Sequence, residues 1–190
     1  MIEARTERPM IIRGRCWVVR DAGGEKIDDI DTDQIFHNSH LHITEISEMG
    51  PHTFGNLPGW ENLPGKAQPG DMLVVGENFG AGSSRQQAVD CFISLGMSII
   101  IGESFGSIYL RNTINAGLPI LSCPGICDHG PGDDFLVENG DELEVDLDSC
   151  QIRNLSKGRE IAGGEPPSRV QMEIYQAGGL FRYGKTLSSD

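Results

Sequence analysis

Gly80-Ala81-Gly82-Ser83-Ser84-Arg85 places two hydroxyls and a guanidinium directly behind two glycines. Glycine lets a backbone bend sharply and approach a ligand closely. The free N–H groups of a following helix, together with its dipole, favour an anion, and arginine can grip a carboxylate with two parallel hydrogen bonds. A carboxylate site with a hydroxyl poised for proton chemistry is the reading these residue types suggest. Other glycine-rich loops fit less well. A nucleotide P-loop needs lysine directly before the Ser/Thr, where this chain has Gly82, and the Rossmann fingerprint is unmatched. A Gly-x-Ser-x-Gly nucleophile elbow fails because Gln86 stands where its second glycine belongs. A serine here could also simply cap the helix, and spacing alone does not choose between Ser83 and Ser84.

The surrounding pattern predicts what positions this loop. Met72–Val75, 98–101 and 119–121 are short apolar strands that alternate with helices over 84–95 and 107–116, as in a parallel sheet with crossover helices. Gly96 and Gly117 fall where left-handed helix caps are expected. The serine loop then lies at the carboxyl end of a strand, the usual ligand edge of an open α/β sheet. An early strand is expected over 10–19, an acidic turn over 28–33, and a Gly/Pro-rich surface excursion over 50–70. After Pro131 the alternating run Asp141–Asp148 and a partner over 150–155 read as a β-rich second layer. A last helix is expected over 168–176, stopped by Gly178-Gly179, with 188–190 fraying.

Asn78-Phe79-Gly80-Ala81-Gly82-Ser83-Ser84-Arg85, Asp31-Thr32-Asp33-Gln34-Ile35 upstream, and the run from Ser104 to Pro119 downstream occur together and in order. This combination resembles the small subunit of 3-isopropylmalate dehydratase, the swivelling domain of the aconitase superfamily. The resemblance implies an α/β fold with β/β/α layers and a mostly parallel central sheet, formed by residues 1–190 as a single swivelling domain. It implies a hydro-lyase acting on a hydroxy di- or tricarboxylic acid, active only with a large subunit that carries the 4Fe-4S cluster. Ser83 is then the catalytic base, and Ser84 and Arg85 bind a substrate carboxylate. The acid most favoured by the resemblance is 3-isopropylmalate, with 2,3-dimethylmalate and homocitrate-like acids as rivals. A carboxylate-sensing module without catalysis is the alternative of another class, and the retained Ser83 argues against it, since plain binding needs no base.

Many relatives read Pro-x-Arg-Tyr-Leu after the Asp-Thr-Asp motif, in a mobile loop that meets the variable part of the substrate. Here the segment is Phe36-His37-Asn38-Ser39-His40-Leu41-His42, and the arginine is missing. His37 or His40 could receive a polar or anionic group, or simply pack in the loop. Arg111 and Asn115, one helical turn apart, could line the site or fix the serine loop; Arg111 could equally pair with an acidic neighbour.

With 190 residues, 38% of them apolar, the chain can bury one good core. A net charge of −13 disfavours general nucleic-acid binding, and an anionic substrate must be drawn by a local positive site such as Arg85. No run approaches the roughly twenty apolar residues of a membrane span. The mixed-charge start, Met1 to Pro9, does not read as a secretory signal, so a cytoplasmic location is expected. The five cysteines are scattered and odd in number, which favours reduced thiols. Cys123 and Cys127, with His129 beyond, are too few and too loosely spaced for a metal site, and no cofactor is expected on this chain itself. The composition leaves room for a homo-oligomer of the isolated chain.

Overall fold

The central strand runs are apolar at successive positions, and the computed structural model, which describes residues 7–130, 134–161 and 163–188, buries them on both faces. β1 (Ile11–Val18), β2 (Met72–Val75), β3 (Ile99–Gly102) and β4 (Ile120–Ser122) pair in parallel, with Trp17 opposite Leu73, Leu73 opposite Ile100 and Ile101 opposite Leu121. On its other side β1 pairs antiparallel with β5 (Glu142–Asp146), followed by β6 (Ile152–Asn154) and β7 (Arg159–Ile161). The order across the sheet is β4-β3-β2-β1-β5-β6-β7. Five α-helical segments accompany it: α1 (Thr32–Ile35), α2 (Gln87–Ser94), α3 (Ser107–Ala116), α4 (Arg169–Ala177) and α5 (Leu180–Leu187).

Strand alternation splits the apolar side chains between two cores. Cys16, Val18, Met72, Val74, Ile99, Ile101 and Leu121 share one core with Leu143, Val145, Ile152 and Ile161, so the antiparallel half curls back over one face of the parallel half. Leu73, Val75 and Ile100 share the other core with Val89 and Phe92 of α2 and Tyr109 of α3. This is the β/β/α layering implied by the sequence, and each fully buried side chain of this size contributes about 1.5–3 kcal/mol.

Four expectations are corrected. Helix α2 starts at Gln87 with Gln86 as an N-cap that makes no side-chain capping bond, three residues later than the expected start at Ser84, because contacts described below hold Ser84 and Arg85 outside it. The 50–70 segment is not a surface excursion: Phe54, Leu57, Trp60 and Leu63 are buried. Backbone bonds run from the N–H of Leu57 to Phe54, Trp60 to Leu57 and Leu63 to Trp60, and a step of three residues keeps the side chains on one inward face. Strand β7 extends the antiparallel half beyond the expected pair. Helix α4 begins as expected, with Ser168 in a capping box with Gln171, and ends as expected at a left-handed Gly178, but it is not the last helix, because Gly179 leads into α5.

The expected left-handed cap holds at Gly117, with φ of 74°. Among the described residues no helix is long and apolar enough to cross a membrane. Most of the Met1–Pro9 run, Pro131 and the last residues of the 188–190 end lie outside the described residues.

Candidate active site

Leaving β2, the chain crosses the carboxyl edge of the parallel strands and reaches α2 through residues 76–86. Gly80 lies against the ring of Tyr109, a fully buried side chain of α3, with φ of +77°, and a Cβ at that position would overlap the ring. Only glycine serves there. The Tyr109 hydroxyl donates to the Ala88 carbonyl of α2 at 3.2 Å, which ties both helices to the loop. Phe79 bridges Phe105 in parallel, and the Gly106 N–H donates to the Phe79 carbonyl at 2.9 Å. Asn78, also left-handed with φ of 51°, donates from its side chain to Asp29 at 2.7 Å and from its backbone to Ser104 Oγ at 2.8 Å. The acidic turn and the run before α3 therefore hold the loop from opposite sides.

Asp31 caps α1, accepting from the backbone N–H groups of Asp33 and Gln34 at 2.8 Å while Gln34 accepts the Asp31 N–H at 2.9 Å. That capping box aligns the turn with the serine loop residue by residue. The Gly80 N–H donates to Ile30 at 2.8 Å and the Thr32 N–H to Ala81 at 2.9 Å. Thr32 Oγ1 and Ser83 Oγ lie 3.1 Å apart, and Arg85 Nη1 donates to Asp33 Oδ1 at 2.6 Å and to the Phe36 carbonyl at 3.1 Å. Asn112 of α3 donates to the Ser84 carbonyl at 3.4 Å. Among the described residues, no hydrogen bond takes up the backbone N–H groups of Ser83, Ser84, Arg85, Gln86 and Gln87. Neither serine hydroxyl caps α2, and Ser83 and Ser84 are exposed.

Unpaired amides, two exposed hydroxyls and a guanidinium at the head of a helix form an anion site of the kind expected. One part differs. Arg85, whose side chain is 18% exposed, is already paired with Asp33, and both of its hydrogen bonds use Nη1. The pairing holds the Asp33 carboxyl below the usual carboxylate range, chiefly through the hydrogen bond from Arg85. Arg85 therefore keeps only its Nε and Nη2 N–H groups without a partner among the described residues.

The two histidines lie edge-on to each other, with ring centroids 6.4 Å apart, but meet different partners. His37 lies with Nε2 3.9 Å from Asp33 Oδ2, beside the Arg85 pair, and its Nδ1 is 2.7 Å from Ser39 Oγ. His40 instead stacks on His52 with ring centroids 4.0 Å apart and lies edge-on to Phe36; none of its ring contacts or hydrogen bonds reaches Ser83, Ser84 or Arg85. Sequence reasoning passed over Thr32, Asp33, Tyr109 and Asn112 as individual residues. Arg111 and Asn115 were singled out on α3, yet it is Asn112 that contacts the serine loop, and exposed Arg111 makes no ion pair among the described residues.

All five cysteines are buried and none is in a disulfide, and Cys123 and Cys127 sit in the core between the two halves of the sheet. Burial pushes their thiols up to about 11 and about 12, which opposes the thiolate that an iron or zinc ion requires. Among the described residues no group of three or more His, Cys, Asp or Glu could hold a metal ion. The buried Cys123 and Cys127 thiols thus do not suit a 4Fe-4S cluster.

Residues 26–124, which contain all three motifs, match the family model of the aconitase C-terminal domain. The chain is 38% identical over 175 residues to the isopropylmalate/citramalate isomerase small subunit of Methanocaldococcus jannaschii, covering 92% of this chain and 94% of that one. It is 40% identical over 176 residues to the 3-isopropylmalate dehydratase small subunit of Pyrobaculum calidifontis, covering 93% and 98%. The crystal structure of 3-isopropylmalate dehydratase LeuD from Methanocaldococcus jannaschii superposes with a TM-score of 0.80 at 35% identity, over 94% of this chain and 96% of that one. With fold, motifs and sequence in agreement along nearly its whole length, the chain belongs to the aconitase C-terminal domain family, among the small subunits of 3-isopropylmalate dehydratase.

Proposed function

We propose that Ser83 is the base of a dehydration–rehydration cycle on a hydroxy dicarboxylic acid, carried out when this chain, acting as a single swivelling domain, closes on a large subunit. The observation that carries the reading is the register of the two motifs, in which Thr32 meets Ser83 and Asp33 meets Arg85. That register leaves Ser83 exposed at the edge of five unpartnered amides, where a substrate carboxylate is received by the N–H groups and the remaining edge of Arg85. The Ser84 hydroxyl lies beside that position and hydrogen-bonds the same carboxylate. A serine alkoxide is unstable in water, so its formation depends on donors already aimed at the oxygen and on the exclusion of water when the subunits meet. The 4Fe-4S cluster is assigned to the large subunit and supplies Lewis acidity toward the substrate when that subunit is bound.

The substrate is a malate bearing an alkyl group, with 3-isopropylmalate first. The relatives' names carry isopropylmalate and citramalate, which share the malate head and differ in the alkyl group. His37, next to the Asp33–Arg85 pair, meets the part of the substrate that varies. A chain that only senses carboxylates is disfavoured, because plain binding has no use for an exposed Ser83 hydroxyl set against Thr32.

Ser83→Ala in the assembled enzyme tests the reading. Turnover of 3-isopropylmalate should fall by about a thousandfold or more, with substrate binding kept within a few-fold. Unchanged turnover would remove Ser83 from the chemistry, and a panel of alkylmalates and tricarboxylates on the wild-type complex decides the substrate.

A further inference from the structure

We propose that Thr32 is a positioning residue that acts through Ser83, holding its oxygen in place and donating a hydrogen bond to it whenever it is an alkoxide. The inference rests on the assignment of Ser83 as base and adds the group that makes the alkoxide accessible. Thr32 is 2% exposed, and among the described residues its hydroxyl has one hydrogen-bond partner, Ser83 Oγ at 3.1 Å. Its backbone is fixed at both ends, since its N–H donates to Ala81 and its carbonyl accepts from Phe36 at 3.0 Å. Asp31 and Gln34 close the capping box around it, so the hydroxyl cannot follow a moving loop or turn to water.

Two hydroxyls facing each other can share their proton in either direction while both are neutral. Once Ser83 has lost its proton, only Thr32 can donate. The bond then becomes charge-assisted, and a hydrogen bond made to the charged form lowers the cost of forming that form. In the proton-transfer step, the substrate C–H bond adjacent to a carboxylate breaks and a Ser83 O–H bond forms. The C–H electron pair becomes the new C=C bond as hydroxide leaves the neighbouring carbon. Thr32 keeps its own proton throughout and returns to a neutral pairing when Ser83 is reprotonated. Gly82, with φ of +94°, makes the turn into Ser83 at a backbone angle that side-chain-bearing residues rarely adopt.

Thr32→Val and Thr32→Ser, measured in the complex with the large subunit, separate this role from packing. Valine keeps the volume and removes the hydroxyl, whereas serine keeps the hydroxyl and removes a methyl group. Thr32→Val should lower kcat by about 100–1,000-fold, the range expected for one donor to a developing oxyanion, with KM nearly unchanged. It should also raise the primary isotope effect with substrate deuterated at the abstracted position, because proton transfer becomes more nearly rate-limiting. Thr32→Ser should retain most of the wild-type kcat. The reverse order, with valine near wild type and serine impaired, would overturn the proposal and leave Thr32 a packing residue. Loss of assembly in both variants, seen by size-exclusion chromatography, would also overturn it in favour of a structural role. Ser83→Ala serves as reference: if that variant still turns over, the base assignment fails, whereas an inactive Ser83→Ala beside an unimpaired Thr32→Val refutes only the role of Thr32.

Discussion

The serine loop at residues 78–86 and the histidine segment at 36–42 meet at the Arg85–Asp33 pair, yet they are held in different ways. Backbone contacts hold the first: a parallel bridge from Phe79 to Phe105, N–H groups of Gly80 and Thr32 bonded across the two motifs, and a glycine pressed against a buried tyrosine. The second makes backbone bonds chiefly within its own short turn, from His40 to His37, Leu41 to Asn38 and Ile43 to His40, and leans further on side chains: His37 on Ser39, Asp33 on the Asn38 N–H, and His40 stacked on His52. Backbone contacts do not change with protonation, and substitutions elsewhere seldom disturb them. Ring stacks and side-chain bonds change with pH and with residue type. The same chemistry can then be retained while the segment beside it is altered to suit a different acid, so fixed and adjustable parts of one site are built from different kinds of contact.

Replacing Gly80 should have the largest effect on the fixed part. Gly80→Ala puts a methyl group into the Tyr109 ring at a backbone angle unfavourable to alanine, and the two penalties together cost about 2–4 kcal/mol. The midpoint of thermal unfolding should fall by roughly 4–16 °C, and turnover of the complex should be largely lost because Ser83 moves with the loop. Gly59→Ala is the control, since Gly59 also has a positive φ, 88°, but faces open space. It should cost only about 1 kcal/mol, the backbone term alone. Equal losses in both variants would show that the tyrosine contact contributes nothing, and the contrast between the two regions would weaken.

Arg85→Lys acts where the regions meet. A lysine can reach Asp33 but cannot also present a flat pair of N–H groups to a substrate carboxylate. Losing one charge-assisted hydrogen bond of about 1.5–3 kcal/mol predicts a fall in kcat/KM of about 10–100-fold, expressed mainly in KM. Steady-state kinetics on the assembled enzyme check this, and a normal KM would reject the clamp. The fold should be nearly unaffected.

The parallel half of the sheet was legible in the sequence because its strands are uninterrupted apolar runs separated by helix-length segments. The motif residues were legible by type, and the resemblance singled out Ser83. Their supports were not, because the pairing of Thr32 with Ser83 and of Asp33 with Arg85 joins residues 51 and 52 positions apart, and single-sequence spacing carries no such information. The late start of α2 has the same origin, since Asp33 and Asn112 hold residues that local propensity would place in the helix. The 54–63 segment is a different case. Its step of three was present in the sequence, but glycine and proline between the apolar residues suggested a loop, whereas here they set successive tight turns.

The adjustable part should respond to pH where the fixed part does not. Burial holds the His40 imidazole below its usual 6.5, and the nearby rings of His52, His37 and His42 push in the same direction. The same segment faces Asp33, 3.9 Å from His37, and Arg85 beyond it. Because the folded chain binds a proton at His40 less readily than the unfolded chain, the stability that neutral His40 contributes is fully present above 6.5. It declines as pH falls below that value and levels off once the folded form is also protonated. Hydrogen exchange measured between about pH 5 and 8, corrected for intrinsic rates, should show the amides of 39–43 losing protection on acidification while those of Gly80 and Thr32 keep theirs. His40→Gln should flatten the response at 39–43. An equal loss at Gly80 and Thr32 would mean that the two regions open as one unit, and the division into fixed and adjustable parts would not survive it.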